Sequence, residues 1–149
     1  MSLEEMLLHS ELKRERVVAG EIERMLSAVQ RRLQDAKHVD IHPETRLEQA
    51  YHVILGCALI ALRANDLRLA NRPGHHVVAL DSLAETLKIS PERIDYFQTL
   101  RNLRNKDLYT GRTHISNGQA AEAVDEAHKL IQDLTDWLAQ YGKSKASTL

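Results

Sequence analysis

The densest concentration of chemistry-bearing side chains lies between residues 101 and 112. Arg101, Arg104, Lys106 and Arg112 are set there against the single acid Asp107, in a chain whose formal net charge is −1. Arginine binds phosphate well because its guanidinium is planar, permanently charged and donates hydrogen bonds in pairs. Asn105 adds an amide that can position or hydrogen-bond a ligand. The segment therefore reads as a site for an anionic partner, without specifying which one, in which Arg101, Arg104, Asn105, Lys106 and Arg112 contact phosphate. With a net charge of −1, nucleic-acid contact must come from such a local patch and not from the whole surface. Aromatic residues make up 4% of the chain, too few for a base-stacking platform.

The position of these cations on their helix sharpens the reading. At about 100° per residue, Tyr96, Phe97, Leu100, Leu103 and Leu108 form an apolar arc, and Arg104 falls near its middle with Arg93 and Asp107 close by. Arg101 sits at the edge beside Ile94, while Asp95, Thr99, Asn102 and Lys106 point to solvent. A charge on an apolar face is costly unless it is paired or opens into a cleft. Two readings follow: Asp107, three residues on, neutralises Arg104 structurally, or Arg104 lines a groove with Arg101 and Asn105.

The elements that must hold this segment are helices. Val18, Ile22, Met25, Val29 and Leu33 recur at helical spacing, predicting one long helix or two over residues 4–37, with Gly20 as a break. A second helix begins near Pro43-Glu44, and its stripe from Leu47 through Leu62 is broad enough for a central, buried position. A third spans Val77 to Leu87, or begins at residue 82 if Ser82 and Glu85 form a capping box. Ser90-Pro91-Glu92 starts a fourth helix, running to about residue 108 and closed by Thr110-Gly111-Arg112. Ser116 with Gln119 caps the last helix, for which Gly142 is the expected terminator. The expected fold is an all-α antiparallel bundle of about five helices in a single domain, residues 1–149. No β-branched alternating run predicts a strand, and no uninterrupted apolar run is long enough to cross a bilayer, so no membrane partner is expected. The acidic N-terminus lacks the features of a signal peptide, and the lone Cys57 forms no intrachain disulfide; a cytoplasmic location is the expectation.

The run Arg101-Asn102-Leu103-Arg104-Asn105-Lys106-Asp107-Leu108-Tyr109 resembles the signature of HEPN domains, an Arg often followed by Asn and, after four residues, a His. Ala50-Tyr51-His52 followed by Gly56–Leu62 looks like the family's second helix, and Gly74-His75-His76 like its middle connection. The resemblance spans roughly residues 44–140, leaving 4–37 as a helical extension. It implies a small all-α bundle, commonly a homodimer, with the motif near the dimer groove. Many family members are metal-independent endoribonuclease toxins or defence effectors paired with a nucleotidyltransferase-like antitoxin, and others are binding modules that have lost catalysis. No cofactor and no metal is implied.

The departure from the pattern falls where the His should be: that position is Tyr109. Cleaving RNA through its 2′-hydroxyl needs a proton acceptor near neutral pH, which histidine supplies and a phenol of reference pKa about 10 does not. Binding is therefore the leading expectation. The alternatives are an active ribonuclease using Arg104, Asn105 and Tyr109, with His114 in the next loop as a substitute, and a structural dimer or partner-binding protein. Among the remaining candidates, adjacent His75 and His76 seldom share one ion, and Cys57 and Trp137 read as core or interface residues. Tyr51 should be a core aromatic whose hydroxyl finds a polar partner, and Arg63, Arg68 and Arg72 matter only if the fold carries them to Arg104.

Overall fold

The computed structural model describes residues 1–111 and 114–147, with side chains described as far as Tyr141. The fold is an all-α helical bundle built around one buried helix. That helix, α3 (Pro43–Ala64), follows α2 (Glu21–Ala36) after a short connection and packs most extensively against α2 and α7 (Asn117–Ser147), with α6 (Pro91–Thr110) on a further side. Proline at its first turn lacks only an N–H that the helix does not use, which fixes the start. Apolar residues surround it: Leu47, Tyr51, Ile54, Cys57 and Ile60 are all buried. Gly56 lets α2 approach, because a Cβ there would overlap Cγ1 of Val29. Over its full length α3 is long and apolar enough to cross a membrane even though charged residues such as Arg46 and Glu48 interrupt its apolar run, and 72% of its most apolar stretch is buried inside the bundle.

The N-terminal segment differs from the one long helix, or two, predicted over residues 4–37. A capping box between Ser2 and Glu5 starts α1 (Leu3–Leu8), which gives way to β1 (Leu12–Arg14). β1 pairs antiparallel with β2 (Leu67–Leu69), the segment after α3, in the register Leu12 to Leu69 and Arg14 to Leu67. Leu12 and Leu67 then join Met6 and Leu62 in a small satellite core. Gly20, at φ +82°, adopts the left-handed backbone that lets the chain turn into α2. Val18 lies before that turn and is exposed, so it is not part of the helical stripe.

Arg63 explains why this ribbon holds its place. Its Nε donates to Glu21 Oε2 at 2.6 Å, and its terminal nitrogens donate to the carbonyls of Glu15 at 2.8 Å, Leu67 at 3.1 Å and Arg16 at 3.3 Å. Arg68 pairs with Glu15, and Arg72 donates to the carbonyls of His9 and Ser10. These three arginines tie the N-terminal segment down and are not carried to Arg104.

Between β2 and α6 the chain forms α4 (His75–Asp81) and α5 (Leu83–Thr86). The helix starts at His75 and not at residue 82: Ser82 Oγ donates backward to the Ala79 carbonyl at 2.6 Å and caps nothing. Ser90 Oγ accepts from the Arg93 amide to start α6, and Gly111 ends it at φ +61° while its N–H reaches the Asp107 carbonyl. The Ser116–Gln119 capping box forms reciprocally, with bonds of 2.9 and 3.0 Å. α7 continues past Gly142 to Ser147, so that glycine is not the terminator. Trp137 is half-buried and stacks on Tyr141 at 4.8 Å.

Candidate functional site

α3, α4 and α6 meet where the cationic segment begins. Ser90 and Pro91 set the start of α6, so Phe97 and Leu100 face the core and Arg101 and Arg104 follow on the same side one turn later. Arg104 turns toward α3. Its Nη2 lies 3.5 Å from Glu48 Oε1, its Nη1 donates to Asn105 Oδ1 at 3.1 Å, and its guanidinium carbon sits 5.8 Å from the Tyr51 ring centre. Its side chain is 20% exposed against 42% for Glu48, and its Nε is buried without a hydrogen-bond partner. Asp107 is not the partner: among the described residues no ion pair joins it to Arg104. Both instead line a small cavity of about 30 Å³ with Glu44, Glu48 and Ile115. The partner comes from α3 because Arg104 points across the helix interface and not along its own helix.

Arg93 occupies the same arc and has a different role. It donates to Asp133 at 2.8 Å, approaches Glu126 at 3.9 Å and lies over Phe97, which fastens α6 to α7. Arg101 is oriented by Gln98, whose Oε1 accepts from its Nε at 2.9 Å. The Gln98 amide nitrogen donates in turn to Asp81 at 3.0 Å and to the Val77 carbonyl at 3.2 Å, both on α4. Arg101 is thus held at the α4–α6 seam, and among the described residues no carboxylate neutralises it.

Two histidines that sequence reasoning did not assign to the site stand beside these arginines. Tyr51, fully buried, directs its hydroxyl at His76 Nδ1, 3.1 Å away. This is the polar partner expected for that tyrosine. Burial raises the Tyr51 pKa, opposed by the positive charges of Arg101 and Arg104, so the phenol is neutral at pH 7. Burial, then the neighbouring His75 and Arg104, lower the pKa of His76, so its imidazole is neutral there as well. His52 follows Tyr51 on α3, and its Nε2 lies 3.7 Å from Glu48 Oε1. Burial and then Arg104 lower its pKa, with Glu48 opposing. Glu48 therefore serves Arg104 and His52 together. His75 donates from Nδ1 to the Arg72 carbonyl at 2.7 Å and meets His76 edge-on at 4.6 Å.

The remaining predicted residues lie outward. Asn105 is half-buried against Arg104, and Lys106 is exposed. Tyr109 is 82% exposed on the last turn of α6, beside Leu108 at 57%, and makes no described contact with Arg104. His114 is exposed, and Arg112 lies outside the described residues. Cys57 is buried in the core, which pushes its thiol pKa up. Among the described residues no group of three or more histidine, cysteine or carboxylate side chains is arranged to hold a metal ion.

The sequence does carry a faint signal for this arrangement. Glu48 and His52 are one helical turn apart with Tyr51 between them, and His76 is the second residue of a helix that opens just after Gly74. What unites them is the packing of α4 and α6 on α3, which spacing along the chain does not encode. No family model matches the chain, and no curated protein or solved structure matches it either.

Proposed function

We propose that this bundle is a HEPN-like module that binds RNA or a nucleotide phosphate through Arg101, Arg104 and Asn105. The observation that carries the reading is the state of Arg104. Its guanidinium is mostly buried, with one half-exposed carboxylate at 3.5 Å and an Nε that no group satisfies. Arg93 in the same arc also leaves nitrogens, Nε and Nη2, without a hydrogen-bond partner, but it meets two carboxylates across the helix interface, at 2.8 and 3.9 Å, where Arg104 meets one at 3.5 Å. Arg104 thus meets less negative charge than Arg93, and its terminal nitrogens can exchange Glu48 for an anion, with Arg101 one turn before it. The resemblance supports the same ligand class. A role in a toxin–antitoxin or defence system, with a nucleotidyltransferase-like antitoxin, rests on that resemblance alone. The test is retention of labelled RNA by the parent and by Arg104→Ala. Equal retention by both eliminates the reading.

A second reading is a homodimer or partner-binding protein without a nucleic-acid ligand, favoured by Leu108 and Tyr109 standing exposed side by side at the end of α6. Salt separates the two. Phosphate binding weakens steeply as salt rises, whereas an apolar interface does not.

A further inference from the structure

We infer that the outer face of α2 carries a second anion site, separate from Arg104, which takes a compact ligand bearing two or more neighbouring phosphate groups. Arg31 stands at its centre. The site lies on the N-terminal extension, outside the span of the family resemblance, and does not rest on the reading of Arg104.

Two open grooves meet along α2 and share Arg31 and Gln34. One, of about 540 Å³, lies against α3, where Arg32, Asp35 and Gln49 also line it. The other, of about 450 Å³, lies against α7, where Lys37 and His128 line it and the buried Leu33 and Ile131 contribute apolar walls. Together the grooves set Arg31, Arg32, Lys37 and His128 against a single acid, Asp35.

These charges are positioned without being neutralised. Asp35 follows Arg31 by four residues and Arg32 by three, the spacing that favours helical ion pairs, yet among the described residues neither arginine pairs with it or with any other carboxylate. Arg31 Nη1 instead donates to Ser27 Oγ at 2.7 Å, one turn back, and Arg32 Nη1 donates to Gln49 Oε1 at 3.1 Å, across the helix interface. Neutral partners orient both guanidinium forks and leave their charge for a ligand. Arg63, Arg68 and Arg93, by contrast, each meet a carboxylate. Lys37, which closes α2, has no described carboxylate partner. The C-terminal end of a helix is partly negative and repels an anion. Here the buried Arg46 offsets that effect, its Nε donating to the Ala36 carbonyl at 2.9 Å. In His128 the Nδ1 is buried without a hydrogen-bond partner, so Nε2, across the ring, is the nitrogen left to meet a ligand in the groove.

Magnitude selects the ligand. Arg31, Arg32 and Lys37 are exposed, and one exposed ion pair holds little. A single phosphate or carboxylate reaching one groove would bind feebly. An anion with two phosphate groups engages both grooves, the second contact forming at high effective concentration. Arg31, common to both, offers a fork that can serve adjacent phosphates. Neither groove is lined by Phe, Tyr or Trp, so nothing there stacks on a base and recognition rests on the phosphates. A linear oligophosphate and a phosphorylated cyclitol share that chemistry.

The experiment is calorimetric titration of the full chain with sodium tripolyphosphate, inositol hexakisphosphate and orthophosphate in turn, at low and at higher salt. At least one of the first two should bind at least about tenfold more tightly than orthophosphate, and less tightly as salt rises. The tighter of the two identifies the source, chain or ring. Tight binding should persist in Arg104→Ala, which lacks the other cationic site. Arg31→Ala should weaken it at least about tenfold, and Lys37→Gln or His128→Gln by about threefold each. Asp35→Asn should tighten it about threefold, a gain that no loss of folding produces. The inference is overturned if neither multivalent probe outbinds orthophosphate. It is overturned if Arg24→Ala, an exposed arginine of α2 outside both grooves, weakens binding as much as Arg31→Ala, which would mean diffuse surface charge. It is also overturned if binding disappears in Arg104→Ala and survives in Arg31→Ala, which would seat the phosphates between α3 and α6. Retention of RNA is measured separately, so the two readings fail independently.

Discussion

Glu48 is the internal competitor of any anion at this site, and neutralising it gives a prediction with an unusual sign. Its Oε1 lies 3.5 Å from Arg104 Nη2 and 3.7 Å from His52 Nε2. Two unit charges at about 4 Å attract by about 1 kcal/mol in water and about 4 kcal/mol at an effective dielectric of about 20. The Glu48 side chain is 42% exposed, which places the pair near the watery limit. Glu48→Gln should therefore return about 1 kcal/mol to phosphate binding, tightening it about fivefold. Arg104 already counts as one phosphate contact in the parent, so affinity should rise while the slope of log affinity against log salt stays the same. Losing the pair should cost the fold less than about 1 kcal/mol. Fluorescence anisotropy of a short labelled RNA over a sodium chloride series reads both quantities. Weaker or unchanged binding by a folded Glu48→Gln protein would refute the reasoning, because it would mean that Arg104 exists to hold Glu48.

Three further perturbations address the scaffold. Arg63→Ala removes the hub that joins Glu21 to the carbonyls of Glu15, Arg16 and Leu67, and should cost about 3 kcal/mol in denaturant unfolding. The bond from Arg63 holds the Glu21 carboxyl below the usual range. Its contribution is therefore present above the ordinary glutamate pKa and disappears as pH falls through the lowered one, and that acid limb should be smaller in the variant, where the bond from the Val18 amide remains. Gly56→Ala forces a Cβ onto the stiff Val29 side chain and should destabilise by about 1–3 kcal/mol, read as a lower Tm. Cys57 is fully buried with its thiol pKa raised, so an aromatic disulfide reagent should label it at the rate of unfolding, and rapid labelling of the native protein would contradict its core placement.

The helices that the sequence announces are those with strong local signals. Pro43 and Ser90-Pro91 start α3 and α6 through backbone chemistry that acts at the position itself, and the Ser116–Gln119 box does the same for α7. The β1–β2 ribbon gives no such signal. Each strand is three residues long, too short to show a period of two, and its partner lies on the far side of two helices in the chain. Gly20 was legible as a break but not as the end of an extended segment, since a left-handed turn reports nothing about what precedes it. Ser82 satisfied the spacing of a capping box, yet its hydroxyl found the Ala79 carbonyl first.

The candidate site divides along the same line. Arg104 stands out because a charge in an apolar arc is an anomaly that helical geometry alone exposes. Its partner does not, because Glu48 is brought in by the packing of α6 on α3, whereas Asp107 is the acid that sequence spacing puts nearest. His76 is hidden for a related reason. Adjacent histidines invite a metal reading, and only the fold shows that one of them meets a buried phenol.

The most direct test of the central claim is the affinity of a short single-stranded RNA for the parent and for Arg104→Ala, measured across a salt series with thermal melts confirming that both are folded. The account predicts parent binding that weakens steeply with salt, at least about tenfold weaker binding by Arg104→Ala, and a slope shallower by about 0.7. Absence of binding by the parent, or equal affinity and equal slope for the two proteins, would contradict it.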